Sequence, residues 1–348
     1  MTKSKGFKGL ALLIAILLTF GMVGCSSQSK SSNDGNTQQG NNVSGDKPLN
    51  FRLIGATIGG GGVWDLIATG IAETIMQKLP GSTITSVPGE GVANVESVHN
   101  GEAELGLTHS SIAASAVLGI DPFSEKIEDV KAIASLYGSG LQFITRKEFA
   151  ANSIKEIIDK KMKIKLAVGN PGSTGELATM RMLQEYGVTY KDIESWGGKI
   201  YFKDMGEAAD MLGDGLIDAF TLLTIAPAGP VQEVSSTHEV KMLPVEEDIV
   251  NSLIKKYGYT DFTISKDAYN FLGDNIKTFG SQVILITHNN VAEEDIYRIT
   301  KALVENLDYL HTVHANLKNL SAESMAKGTG AALHPGAERY YLEIGVLK

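Results

Sequence analysis

Two stretches of this chain are built like anion-holding turns. Gly55-Ala56-Thr57-Ile58-Gly59-Gly60-Gly61-Gly62 and Asn170-Pro171-Gly172-Ser173-Thr174-Gly175 each lead from a short apolar run into a helical pattern. Glycines let the backbone approach a ligand closely, and the unpaired N–H groups at a helix start carry partial positive charge, which suits a carboxylate. Ser173 or Thr174 can cap the helix that begins near Glu176 or can offer a hydroxyl to a bound group, and both readings stand. Pro88-Gly89-Glu90-Gly91-Val92-Ala93-Asn94 opens a further helix, and Thr108-His109-Ser110-Ser111 follows a further strand. Asp65, Glu90 and Glu176 lie in or beside these turns. They either receive an ammonium group or stabilise helix dipoles.

Catalytic chemistry fits these residues poorly. The first turn runs into Val63-Trp64-Asp65, where a phosphate-binding loop needs Gly-Lys-Ser/Thr, and its glycines do not fall at G-x-G-x-x-G. Pro171 stands two residues before Ser173, where a hydrolase nucleophile elbow requires glycine. His109 has no nucleophile or orienting acid at informative spacing, which leaves it a hydrogen-bonding role. Trp64 and Tyr269 suit a cleft wall as well as they suit core packing. His311 and His314 can share a helical face but have no companion carboxylate pattern. The expectation is a binding protein with no catalytic residue, no metal and no cofactor.

The elements that must position these turns alternate strand and helix, which predicts an α/β fold with largely parallel sheets. Strands are read at Phe51 to Ala56, Thr83 to Val87 and Leu105 to Thr108. Helices are read at Val63 to Leu79, where Ile67, Ile71 and Ile75 recur four apart, and at Val92 to His99. The same βαβαβ unit returns with strands at Ile164 to Val168 and Ile217 to Leu223 and helices at Glu176 to Tyr186 and Ala208 to Leu212. Asn100-Gly101-Glu102-Ala103-Glu104 and Asp214-Gly215-Leu216-Ile217-Asp218 mark equivalent points. The interval from Gly55 to Glu104 equals that from Gly169 to Asp218, which favours two lobes built alike. Val130 to Tyr137 and Leu141 to Arg146 are read as two strands separated by Gly138-Ser139-Gly140, Gln282 to Thr287 as a third, and Glu293 to Leu307 as an amphipathic helix. Such long strands make a hinge. The predicted organisation is lobe 1 over 47–145 and 280–348, with lobe 2 over 146–279 as an insertion. Two independent domains in series are the alternative.

The N-terminus reads as an export signal. Three lysines precede an apolar run from Leu10 to Phe20, too short for a comfortable span of ~20 residues. Met22-Val23-Gly24-Cys25 then resembles a bacterial lipoprotein cleavage site, with methionine where leucine is usual. Residues 1–25 are thus read as a signal peptide ending at a lipidated Cys25, with an uncleaved hydrophobic anchor as the alternative, and 26–46, rich in Ser, Asn, Gln and Gly, as a flexible tether. This places the protein outside the cytoplasm, lipid-anchored to the cell membrane. Cys25 is the single cysteine, so no intrachain disulfide can form. Of the 348 residues, 43% are hydrophobic and 20% charged, which supports a sizeable core. Lys and Arg number 31 against 40 Asp and Glu, a formal charge of −9 that repels a phosphate backbone and argues against nucleic acid.

Together, the glycine-rich turn before Val63-Trp64, Gly89-x-Gly91-Val92-x-Asn94, Asn100-Gly-Glu-Ala-Glu-Leu, Asn170-Pro-Gly-Ser-Thr-Gly, Ile217-Asp-Ala-Phe and His334-Pro335-Gly336-Ala337 before Arg339-Tyr340-Tyr341 resemble the TAXI family. These are the extracytoplasmic solute receptors of one class of tripartite ATP-independent periplasmic (TRAP) transporters. The resemblance spans nearly all of Leu49 to Gly345. It implies a two-lobed type II periplasmic-binding-protein fold with hinge strands, closing on a small carboxylate or amino acid such as glutamate and delivering it to a membrane permease. It also implies ligand-facing roles for Thr57, Gly60, Gly61, Gly62, Val63, Trp64, Gly91, Asn94, His109, Ser110, Gly172, Ser173, Thr174 and Tyr269. Trp64 stands where tyrosine is usual, Asp65 where a second aromatic is usual and His109 where glutamine is usual. The region from Asn270 to Gly273 lacks the family's Pro-Gly. A lipoprotein receptor of an ATP-binding-cassette importer would share this architecture, and an exported hydrolase or transferase is the enzyme alternative.

Overall fold

The computed structural model describes residues 47–56 and 63–348. The leader, the tether, Cys25, Thr57, Gly60, Gly61 and Gly62 lie outside the described residues. The first unit follows its sequence reading closely: β1 (Asn50–Ala56), α1 (Val63–Lys78), β2 (Thr83–Pro88), α2 (Gly91–His99) and β3 (Leu105–His109). Ile67, Ile71 and Ile75 form a fully buried row on α1, each contributing about 1.5–3 kcal/mol of transfer free energy. α3 (Ser110–Leu118) follows at once, and its small residues from Ser110 to Ala116 are all buried, so it has no polar face to advertise a helical period.

β4 (Val130–Arg146) and α4 (Ile154–Asp159) lead to the second unit: β5 (Lys165–Ala167), α5 (Thr174–Glu185), α6 (Tyr190–Ser195), β6 (Lys199–Tyr201), α7 (Met205–Gly213) and β7 (Ala219–Thr224). Next come α8 (Gly229–Thr237), β8 (Val240–Leu243), α9 (Glu247–Tyr257), β9 (Thr260–Ile264) and β10 (Ile276–His288). The chain closes with α10 (Glu293–Val304), α11 (Leu307–Val313), α12 (Ala322–Met325) and α13 (Pro335–Glu343).

The strands join in one ten-stranded ladder, β2-β1-β3-β10-β4-β7-β5-β6, with β8 added to β4 and β9 to β10. Between the named strands, pairing is parallel within each unit and antiparallel wherever β4 or β10 takes part, so the sheet is mixed rather than largely parallel. Each unit shows the same order, read from opposite ends of the ladder: β2-β1-β3 beside antiparallel β10, and β6-β5-β7 beside antiparallel β4.

The expected break at Gly138-Ser139-Gly140 does not occur. Val130–Arg146 is a single strand, because Gly138, Ser139 and Gly140 pair with Gln282, Ser281 and Gly280 and keep the ladder running. The Phe262 ring takes the space their side chains leave. A Cβ on Gly138, Gly140 or Gly280 would come within 2.7, 2.5 and 2.7 Å of it. β4 thus leaves β10 to run beside β7, while β10 leaves β9 to run beside β3.

The repeated glycine–acid signature has one physical job in both units. Gly101 and Gly215 sit at φ 72° and 71°, where a side chain would be strained. The acid that follows binds the first strand of its own unit: Glu104 accepts from the Arg52 backbone N–H at 2.7 Å, and Asp218 from that of Lys165 at 2.8 Å. Each unit also buries a cluster of its own. Leu53, Ile71, Leu105 and Leu285 pack with Ile299, Leu303 and Tyr341, whereas Leu166, Met182 and Ile193 pack with Leu253 and Phe279.

Candidate functional site

A cavity of about 240 Å³ opens beyond the carboxyl ends of β2, β3, β5 and β6, the side of an α/β sheet where ligands bind. Five helices present their first turns to it: α1 through Trp64, α2 through Glu90 and Gly91, α3 through His109, α5 through Gly172, Ser173 and Thr174, and α7 through Met205. Three of these helices belong to the first unit and two to the second. The N-terminal turn of a helix offers unpaired N–H donors and the positive end of the peptide dipole. Neither Glu90 nor His109 caps its own helix with a side chain. The turns at residues 89–91 and 172–174, read separately from sequence, are brought to one cavity. They nearly meet there, because a Cβ on Gly91 would lie 2.8 Å from Thr174 Oγ1.

Ser173 does what its cap reading predicts: its hydroxyl accepts from the Glu176 N–H at 3.3 Å. Glu176 in turn holds the turn from inside, accepting from the Gly172 N–H at 3.2 Å and the Tyr190 hydroxyl at 2.8 Å. Its carboxylate is therefore engaged with the protein, and burial beside it raises the Tyr190 hydroxyl pKa. Glu90, exposed at the rim, is the one charged residue lining the cavity among the described residues.

His109 is 6% exposed, and its Nδ1 is buried without a hydrogen-bond partner among the described residues. Burial lowers its pKa to about 4, so the imidazole is neutral at pH 7. Trp64 covers it, with ring centres 5.6 Å apart and planes tilted by 36°. The Trp64 indole N–H donates to the Tyr137 hydroxyl at 3.1 Å, which ties the cavity wall to β4 one residue before the glycine pair. Burial pushes that hydroxyl up to about 12.

Other positions singled out from the sequence do not line this cavity, and their side chains make contacts within the fold. Asn94 is fully buried and donates to the Leu107 carbonyl at 2.6 Å, fastening α2 to β3. Ser110 accepts from the Gln282 N–H at 3.1 Å and lies 3.1 Å from the Ser281 hydroxyl, stitching α3 to β10. Tyr269 donates to Gln142 Oε1 at 2.6 Å and accepts from the Ala228 N–H at 2.7 Å, packed in the second unit. Val63 packs on the first unit's core. His311 and His314 serve local structure: His311 contacts the Leu320 carbonyl at 2.7 Å, and His314 accepts from the Asn316 N–H. Met205 was missed, since a methionine before a weak helical pattern carries no chemical signal. Gly89 lies in a turn that the sequence singles out but is not among the residues expected to touch ligand, while Glu90 is read there as an acid that either receives an ammonium group or stabilises a helix dipole.

Residues 55–345 match the NMT1-like family. The chain belongs to the NMT1-like family. Among solved structures, it is similar to a TctC solute-binding protein from Polaromonas at 19% identity, covering 86% of this chain and 98% of that one with a TM-score of 0.50. The periplasmic aliphatic sulphonate-binding protein SsuA of Escherichia coli matches at 14% identity, covering 85% and 84%, with a TM-score of 0.48. MatC of Rhodopseudomonas palustris with bound malate matches at 15% identity, covering 78% and 90%, with a TM-score of 0.49. The family member described here has the mixed α/β fold of periplasmic solute-binding proteins. Among the described residues, no helix is long and apolar enough to cross a membrane.

Proposed function

We propose that this chain is a TAXI-type receptor: an extracytoplasmic lipoprotein, anchored at Cys25, that captures a small carboxylate or amino acid of glutamate type and hands it to a TRAP membrane permease. The observation that carries the reading is the convergence of five helix N-termini from both units on one cavity, with no cationic side chain among its described lining residues. Such a wall favours an anion through backbone donors and dipoles. Glu90 at the rim suits an ammonium group on the same ligand. In this reading residues 47–145 and 280–348 form one lobe, residues 146–279 the other, and the crossing of β4 and β10 is the hinge between them.

Closure brings amides from both lobes onto the anionic group and removes its water. Charge-assisted hydrogen bonds contribute roughly 1.5–3 kcal/mol each, so a few from each lobe reach micromolar affinity near −8 kcal/mol. In this reading the chain binds without turnover, and the Ser173 hydroxyl serves as a helix cap. The test is a thermal-shift screen of amino acids and small carboxylates. A ligand at a hundred times its Kd adds about 2.7 kcal/mol of stability, whereas a flat response across the panel overturns the assignment.

A further inference from the structure

Arg181 on α5 is the strongest unexplained group outside the cavity. It is 1% exposed, and no carboxylate pairs with it among the described residues. Its solvation comes from both units. Nη2 donates to Ser115 Oγ on α3 at 2.9 Å and to the Asp121 carbonyl, both in the first unit. Tyr257 and Tyr259, near the end of α9, lie with ring centres 4.7 and 5.9 Å from the guanidinium carbon. Nη1 is buried with no hydrogen-bond partner among the described residues. Desolvating a cation this way is unfavourable unless polar and π groups surround it, and here half of those groups sit across the junction.

The position of the contact matters. Thr174 at the start of α5 and His109 at the head of α3 both line the cavity. Arg181 and Ser115 lie roughly two turns further along the same two helices. The neighbouring contacts also cross the junction: Leu177 of α5 packs with Val95, Val98 and Ile112, and a Cβ on Gly258 would lie 2.6 Å from the Ala114 Cβ.

We propose that Arg181 is a positioning residue that braces α5 against α3 and so sets the separation of the two helix starts across the cavity. An apolar residue here would only resist separation. A guanidinium is solvated on both sides of the motion, by Ser115, the Asp121 carbonyl and the tyrosines when the helices are together, and by water when they part. The brace thus permits opening while fixing the geometry of the closed form. It rests on the proposed receptor reading for its purpose, but the physical contact is testable without any ligand.

The experiment compares the full wild-type chain with Arg181→Met, Arg181→Lys and Ser115→Ala by hydrogen exchange in the absence of ligand. In Arg181→Met, amides of Ser110–Leu118 exchange about tenfold faster while those of Ala219–Thr224 change less than about twofold. Arg181→Lys falls between, and Ser115→Ala gives the same pattern at about threefold. Equal acceleration in both segments, or none in either, overturns the brace. Should Arg181→Met fail to fold, the Ser115→Ala pattern decides. In a parallel arm, L-glutamate is titrated calorimetrically: if the wild type binds it, Arg181→Met weakens it about tenfold through faster dissociation, and unchanged affinity contradicts the proposal. A wild type that binds neither glutamate nor the other carboxylates refutes the receptor assignment, and the exchange data still decide the brace.

Discussion

The Gly91 Cα and the Thr174 hydroxyl come so close across the cavity that a methyl group on Gly91 would lie 2.8 Å from Thr174 Oγ1. One residue begins a helix of the first unit, the other a helix of the second. Their proximity means that the cavity has no spare width at this point. Gly91→Val should therefore hold the helix starts apart and weaken ligand binding at least tenfold, about 1.4 kcal/mol. Thermal stability should change little, because the position is the first turn of a helix. Calorimetric titration beside a melting curve checks both halves of the expectation.

His109 supplies a pH prediction. Its pKa in the folded chain is lowered from 6.5 to about 4, so between these values the unfolded chain binds a proton that the folded chain does not. Stability from this residue is full above pH 6.5 and is lost as pH falls toward 4, by about 3 kcal/mol in all. His109→Gln should remove that part of the slope. Urea midpoints at pH 7, 5.5 and 4.5 for the two proteins measure the difference, and parallel curves would contradict the buried neutral imidazole.

Ser173 is the cap of α5 as well as a wall of the cavity. Ser173→Ala should cost about 1 kcal/mol of stability and weaken the ligand too, because the turn loses the hydroxyl that accepts from the Glu176 N–H. Ser173→Asp should restore the cap yet bind anionic ligands worse than the wild type, since it adds a second carboxylate to a cavity whose only described charged lining residue is Glu90.

Tyr269 tests the assignment of residues away from the cavity. Its hydroxyl joins Gln142 to the Ala228 N–H inside the second unit. Tyr269→Phe leaves two buried polar groups short of a partner and should cost about 1–3 kcal/mol, read from chemical denaturation. Ligand affinity should stay within twofold in calorimetric titration. A large loss of affinity would return Tyr269 to the ligand-contacting set.

Much of this arrangement was legible in the sequence for specific reasons. Glycine-rich turns before amphipathic helices announced α1, α2 and α5, and the matched Gly101–Glu104 and Gly215–Asp218 signatures announced the duplication. In each unit the acid binds a backbone N–H of the first strand, that of Arg52 or of Lys165. The single long strand through Gly138 and Gly140 was not legible, since glycine punctuates a strand unless the partner strand has matching gaps, and Gly280 and Phe262 lie far away in sequence. Asn94 and Ser110 have the right chemistry for a ligand, but their side chains serve β3 and β10, a choice made by tertiary packing alone. The role of Arg181 was hidden likewise, because its partners come from α3, a loop and the end of α9.

The most direct measurement is a crystal structure of the chain with the carboxylate or amino acid that shifts its melting temperature most. The account predicts the anionic group in the cavity beside His109, with its oxygens roughly 2.7–3.2 Å from backbone N–H groups at the starts of α2 and α5. A ligand seated elsewhere, for instance in the depression between His99 and His288, or one whose charge is met by side chains with no contribution from those amides, would contradict it.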